Sequence, residues 1–257
     1  MTLAAFEELD YSMTPIGELI LRRREVLSLD RTEVYEVKLA GVLLMSSIVN
    51  DAEIALAEFA LAPRQPASGA PACDRRDVLV GGLGLGYTAK AALEAANVAS
   101  VTVIEYLERV IAWHENELVP LGRSLTQDAR CRLVHGDFFA AVGSPAREND
   151  GPCEALAGCA SKRFHAILLD IDHSPQCLLR AEHAAFYTAG GLKRLTGHIH
   201  PGGVFALWSA DPPEESLTDG LSGAFASVQV HEIKFYNPLL DLQDVNYIVV
   251  AQRTPNG

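Results

Sequence analysis

The run Gly81-Gly82-Leu83-Gly84-Leu85-Gly86 constrains this chain more than any other stretch. It follows the apolar segment DVLVGG and precedes YTAKAALEAA, so it joins a short buried strand to a helix. Glycines let the backbone turn sharply and approach a ligand closely, and the helix that follows offers its unpaired N-terminal N–H groups. Strands and helices then alternate from Asp77 onward. VASVTVIE reads as a second strand and LERVIAWHENELVP as a second helix, with CRLVHGD and FHAILLDI as third and fourth strands. Helical stretches occupy about 178–199, and GGVFALWSA is a fifth strand. Such alternation builds βαβ units around a parallel sheet. The ending differs. VQVHEIKFY and DVNYIVVAQR are separated only by NPLLDLQ, too short for a crossover helix, so this last pair is expected to be antiparallel.

Ahead of this alternation, residues 15–48 hold short apolar stretches with polar breaks, read as two to four strands. DAEIALAEFALA is read as a helix at about 51–62. The expected organisation is a small β-rich element with one helix over 1–62, a Pro-rich linker over 63–76, and a main domain over 77–257. Residues 143–161 read as a surface insertion before the fourth strand. Asp and Glu (33) outnumber Lys and Arg (21), a net charge of −12. That balance argues against a nucleic-acid surface and favours cationic small molecules. No apolar run approaches the ~18 residues of a membrane span, and the N-terminus has no basic signal-peptide region. The five cysteines show neither Cys-x-x-Cys nor zinc spacing, so no metal and a reducing, cytoplasmic setting are expected.

Three acids sharpen the glycine-run signal. Glu105 ends the second strand, 19 residues after Gly86, where a carboxylate can accept both hydroxyls of a ribose. A position at a strand end also implies that its substitution should disturb the fold little. Asp137 ends the third strand in Gly136-Asp137-Phe138-Phe139; it can accept from an adenine amino group with Phe138 beside the ring, or cap the next helix. Two nucleotide classes fit this much. Gly84-x-Gly86-x-x-Ala89 also satisfies the dinucleotide fingerprint of an NAD-dependent oxidoreductase. S-adenosylmethionine-type binding explains the glycine run, both acids and the antiparallel final pair together. A non-catalytic adenosine-binding protein is a third reading. The third acid, Asp170, closes the fourth strand and bears on the acceptor.

These residues together resemble the class I S-adenosylmethionine-dependent transferases, and among them the spermidine synthase-like (polyamine aminopropyltransferase) family. The resemblance runs over about residues 12–253, through Tyr35-Glu36, VLVGGLGLG, VTVIEYLERVI, HGDFF, AILLDIDHSP, FYTAGGLKRL and HPGGVFALWS. It implies a Rossmann-like sheet of seven strands, mostly parallel with an antiparallel last strand, behind a small β-rich N-terminal element that pairs subunits into a homodimer. It also implies S-adenosylmethionine or its decarboxylated form as donor, and a small-molecule acceptor, expected to be an amine. Gly82, Gly84 and Gly86 would shape the donor loop.

In that family an aspartate at the end of the fourth strand orients and deprotonates the attacking amine, and Asp170 matches it. The C-terminal edge of an open parallel sheet is also where ligands bind, and a carboxylate there can take a proton from a nucleophile. Asp172, two residues on, either shares an ammonium with Asp170 or caps a loop, and His173 could titrate beside them. Two departures stand out. The family carries an aspartate at the position of Gly84, where it contacts the donor's aminopropyl end. Its late tyrosine has no counterpart in Asn237-Pro238-Leu239-Leu240-Asp241. Losing a negative charge at 84 removes one reason to exclude the carboxylate of intact S-adenosylmethionine. Methyl transfer is therefore slightly favoured here, with aminopropyl transfer from the decarboxylated donor as the alternative. His198 and His200 are read as a solvated helix end, Trp113 and Trp208 as core, and Tyr187 as lining or structural.

Overall fold

Alternating burial in the first four strands sets up the N-terminal sheet. In the computed structural model, which describes residues 5–63, 75–143 and 163–255, β1 (Phe6–Thr14), β2 (Gly17–Val26), β3 (Thr32–Leu39) and β4 (Val42–Ser46) form an antiparallel meander in chain order. Leu19 pairs with Leu39 and Leu21 with Val37, so one face is a continuous apolar strip. On the other face Glu36 is buried between Arg22 and Arg24. The strand at 6–14 begins ahead of the expected ones, because its acidic FEELDYSMT pattern carries little apolar alternation. The expected linker and the expected insertion fall almost wholly outside the described residues.

The second sheet has seven strands in the order β10-β11-β9-β8-β5-β6-β7. Its strands are β5 (Arg76–Gly81), β6 (Val98–Glu105), β7 (Cys131–His135), β8 (Phe164–Leu169), β9 (Ile199–Ser209), β10 (Ser227–Asn237) and β11 (Leu242–Gln252). Strands β5 to β9 pair in parallel, whereas β11 runs antiparallel to both β9 and β10. This is the expected fold class. The chain leaves β5 towards β6 and β7 on one side and returns to β8 and β9 on the other, so the order reverses between β5 and β8. A crevice opens at such a switch point, outside the carboxyl ends of the strands.

Helices cover both faces. One core cluster joins α1 (Asp51–Leu61), α2 (Tyr87–Glu94), α3 (Glu108–Glu115) and α4 (Gly122–Thr126) to the sheet and to Leu19, Leu21, Val37 and Leu39 of the meander. The other joins α5 (Phe138–Gly143), α6 (Ala189–Leu195) and α7 (Glu215–Ala224) to the opposite face. Helix α1 packs on α2 and on β8, β9 and β11 of the large sheet. Asp10 of β1 ties the meander to α3, accepting from Arg109 Nε at 2.6 Å and from Trp113 Nε1 at 2.6 Å. Among the described residues no helix is long and apolar enough to cross a membrane.

Candidate functional site

Strand register gathers the site. Gly81 pairs with Ile104 on β6 and with Leu169 on β8, so Gly82, Glu105 and Asp170 leave the sheet side by side. Glu105 in turn pairs with His135 on β7, which brings Asp137 to the same edge two residues later. All of these line one pocket, roofed by the N-terminal meander and holding about 730 Å³ of atom-free space that is partly open to solvent.

Gly82, Gly84 and Gly86 all have positive φ, and at Gly82 the backbone itself leaves no room for a side chain. Gly82 has φ +93°, and a Cβ there would stand 2.1 Å from the Asp170 carbonyl oxygen. Only glycine lets the ends of β5 and β8 approach so closely. Gly84 has φ +48°, and a Cβ there would stand 2.6 Å from both Sδ and Cε of Met45 on β4. Gly86 closes the turn, its N–H donating to the Leu83 carbonyl at 2.8 Å immediately before α2. His114 of α3 supports the loop from behind: fully buried, it lies with Nε2 2.9 Å from the Gly84 carbonyl. Burial lowers its pKa, so it is neutral and donates from Nε2.

Glu105 is only 8% exposed, and each of its oxygens accepts a backbone N–H, from Leu83 at 2.9 Å and from Leu107 at 2.8 Å. Burial raises its pKa against the opposing pull of these amides. The expectation that a change here spares the fold is thereby corrected, because the carboxylate staples the glycine loop to the start of α3. Each oxygen retains a lone pair for a ligand. Asp137 caps α5 through the Ala140 N–H at 3.1 Å, as foreseen, and it also lines the pocket. It further holds Arg180 at 2.9 Å, and that guanidinium lies 4.7 Å above the Tyr106 ring. Phe138 lines the pocket and packs into the core beneath Gly81.

Asp170 accepts the Thr88 hydroxyl at 2.7 Å. Burial pushes its pKa up to about 6 despite that bond. Behind it stands Glu53 of α1, pushed up to about 8 by burial and then by the Asp170 charge. Thr88 links them, its hydroxyl also lying 3.5 Å from the Glu53 carbonyl. Two carboxylates so placed do not both ionise near neutral pH.

Asp172 is not brought into the pocket. It is 3% exposed and accepts from Leu179 N–H at 2.8 Å, from Tyr187 Oη at 2.9 Å and from His183, whose Nδ1 lies 2.7 Å away. Buried away from the pocket lining and held by three bonds, this carboxylate is placed to brace a loop, and its expected pairing with Asp170 on a substrate ammonium is corrected. Its bonds hold the 170–187 segment in shape, and His183 in turn stacks on Phe139 at 3.9 Å and lines the pocket. His173 is exposed, 6.2 Å from the Trp208 ring. The expected solvated end at His198 and His200 is also corrected. β9 begins at Ile199, which buries His198 and sets His200 4.4 Å from the His165 ring. Sequence reasoning did not place Glu53, His114, Arg180 or Met45 at the site. Each reaches it from an element distant in the chain and carries no motif.

Three solved structures of spermidine synthases, one of them a probable one, share this architecture. One, in complex with the transition state analogue AdoDATO, superposes with a TM-score of 0.66 at 15% identity, over 98% of this chain and 79% of that one. The Thermotoga maritima spermidine synthase gives 0.63 at 14%, over 96% and 72%. A probable spermidine synthase from Corynebacterium glutamicum ATCC 13032 gives 0.58 at 14%, over 98% and 81%. No protein-family model and no curated protein matches the chain. The chain thus has the fold of these spermidine synthases, with an antiparallel N-terminal sheet ahead of the seven-stranded one.

Proposed function

We propose that the chain transfers an alkyl group from an S-adenosyl sulfonium donor to a small-molecule nucleophile, an amine. The observation that carries this is the convergence of the glycine loop, Glu105, Asp137 and Asp170 at one edge of the sheet under the meander. In this reading Gly82, Gly84 and Gly86 form the donor loop. Glu105 takes the ribose hydroxyls, and Asp137 with Phe138 takes the adenine. Asp170 faces the reacting centre. The amine lone pair attacks the alkyl carbon next to sulfur, the C–N bond forms as the C–S bond breaks, and the electron pair stays on sulfur as a neutral thioether. The proton lost from nitrogen passes to Asp170, whose raised pKa suits a base working near neutrality. Because the sulfonium is already activated, most of the catalysis is in-line positioning. Asp172 contributes by holding the segment that carries Asp170.

Likeness to spermidine synthases over nearly the whole chain supports aminopropyl transfer as the reaction. A specific observation favours methyl transfer as the second reading: residue 84 is glycine and Met45 occupies the space above it, so no second acid stands there to attract a cationic donor tail. Pairing of two subunits through the meander, where Phe6, Tyr11, Met13, Val42 and Leu43 are exposed, completes the proposal. Calorimetric titration with S-adenosylmethionine, its decarboxylated form, methylthioadenosine and NAD tests the donor. Tightest binding by NAD would return the oxidoreductase reading. Adenosyl binding without turnover of either sulfonium donor over a panel of amines would leave only an adenosine-binding protein.

A further inference from the structure

The pocket has two unlike halves. Among the described residues, every charged group on the sheet side but one is already engaged: Glu105 by two backbone amides, Asp137 and Arg180 by one another, and His183 by Asp172. Asp170 alone accepts a single side-chain bond, from Thr88 to Oδ2. On the other side the meander contributes Ile16, Leu19, Val37, Leu39, Leu44 and Met45, every one apolar. The Met45 thioether lies where any side chain on residue 84 would have to go.

A diamine acceptor needs an anion for each of its two ammonium groups. With one nitrogen at Asp170, the second would lie against the meander with no acceptor, and burying an unpaired cation is costly. An alkyl or aryl chain gains there, each methylene moved from water onto such a wall being worth about fourfold in affinity. We infer that the acceptor carries one nucleophilic nitrogen, placed at Asp170, and an apolar body seated on Ile16, Leu44 and Met45, with Met45 excluding diamines. This rests on the donor reading above, in which the nucleoside lies along Glu105 and Asp137 and leaves the meander wall to the acceptor. It holds whichever alkyl group is transferred.

The test loads the full chain with methylthioadenosine and titrates hexylamine and 1,4-diaminobutane separately at pH 7.5. Hexylamine buries two more carbons than the diamine and should bind at least tenfold more tightly. Met45→Leu should keep that order and Met45→Glu should reverse it. Equal or tighter binding of the diamine to the wild-type chain overturns the inference, and so does binding of neither amine to the loaded protein. An order unmoved in a folded Met45→Glu protein removes Met45 from the assignment. Failure of methylthioadenosine itself to bind is a different result, since it refutes the donor site and the acceptor site falls with it.

Discussion

Replacing Glu53 by glutamine should stabilise the protein at pH 8 and change it little at pH 4.5. Glu53 titrates near 8 in the fold against an ordinary value of 4.5, because burial and the Asp170 carboxylate both oppose its charge. Between those pH values the folded chain keeps a proton that the unfolded chain has released. Stability from this group is therefore fully present at the acid end and is lost as pH rises to about 8. Each pH unit in that window is worth about 1.4 kcal/mol, so the group accounts for a loss on the order of 3–5 kcal/mol. The Glu53→Gln side chain would keep the shape and the neutral state at every pH. Urea unfolding of both proteins at pH 4.5, 6.5 and 8 gives the difference directly, with the titrating groups other than Glu53 and Asp170 cancelling. The variant's advantage should grow steadily with pH. Parallel curves, offset by a constant, would refute the reasoning, because they would show Glu53 titrating in the fold as it does in the unfolded chain.

Further substitutions probe the pieces of the site. Glu105→Ala should weaken methylthioadenosine binding by about 1.5–3 kcal/mol and also cost stability, since the Leu83 and Leu107 amides lose their acceptor; intact affinity by calorimetry in a folded variant would remove the ribose role. Asp170→Asn should abolish turnover of either donor while sparing nucleoside binding, and single-turnover mass spectrometry separates the two. Gly84→Asp alone should destabilise the chain, because φ is +48° and Met45 blocks the new Cβ; paired with Met45→Ala it should fold and shift preference towards the decarboxylated donor. Asp10→Ala should loosen the meander from α3, seen as faster amide exchange in β1 and weaker amine binding, with nucleoside affinity less affected.

What could be read from the sequence follows a physical division. The sheet and its C-terminal edge were legible because local rules govern them: VLVGGLGLG sets strand, turn and the approach to a helix within a few residues, and strand register then places Glu105, Asp137 and Asp170 without further information. NPLLDLQ was too short for a crossover, and β10 and β11 are antiparallel accordingly. The roles of individual acids were not legible in the same way. Asp170 and Asp172 look equivalent in LLDIDHSP, but one meets Thr88 at the pocket and the other is consumed by Leu179, His183 and Tyr187. Only the packing of the 179–187 segment decides between them. Glu53 and Met45 lay hidden for a related reason, since nothing near residue 45 or 53 in the chain announces residue 84 or 170. Helix α4 was missed because it is short, and α7 because its apolar residues, such as Leu217 and Leu221, are few.

The donor site is tested most directly by a crystal structure of the protein grown with methylthioadenosine. The ribose hydroxyls should lie within about 3 Å of the Glu105 carboxylate, a normal hydrogen-bond distance. The adenine should rest against Phe138 with its amino group at Asp137, and the sulfur should sit on the Asp170 side of Gly82. A nucleoside bound outside this crevice, or seated in it with Glu105 touching no ribose oxygen, would contradict the central claim.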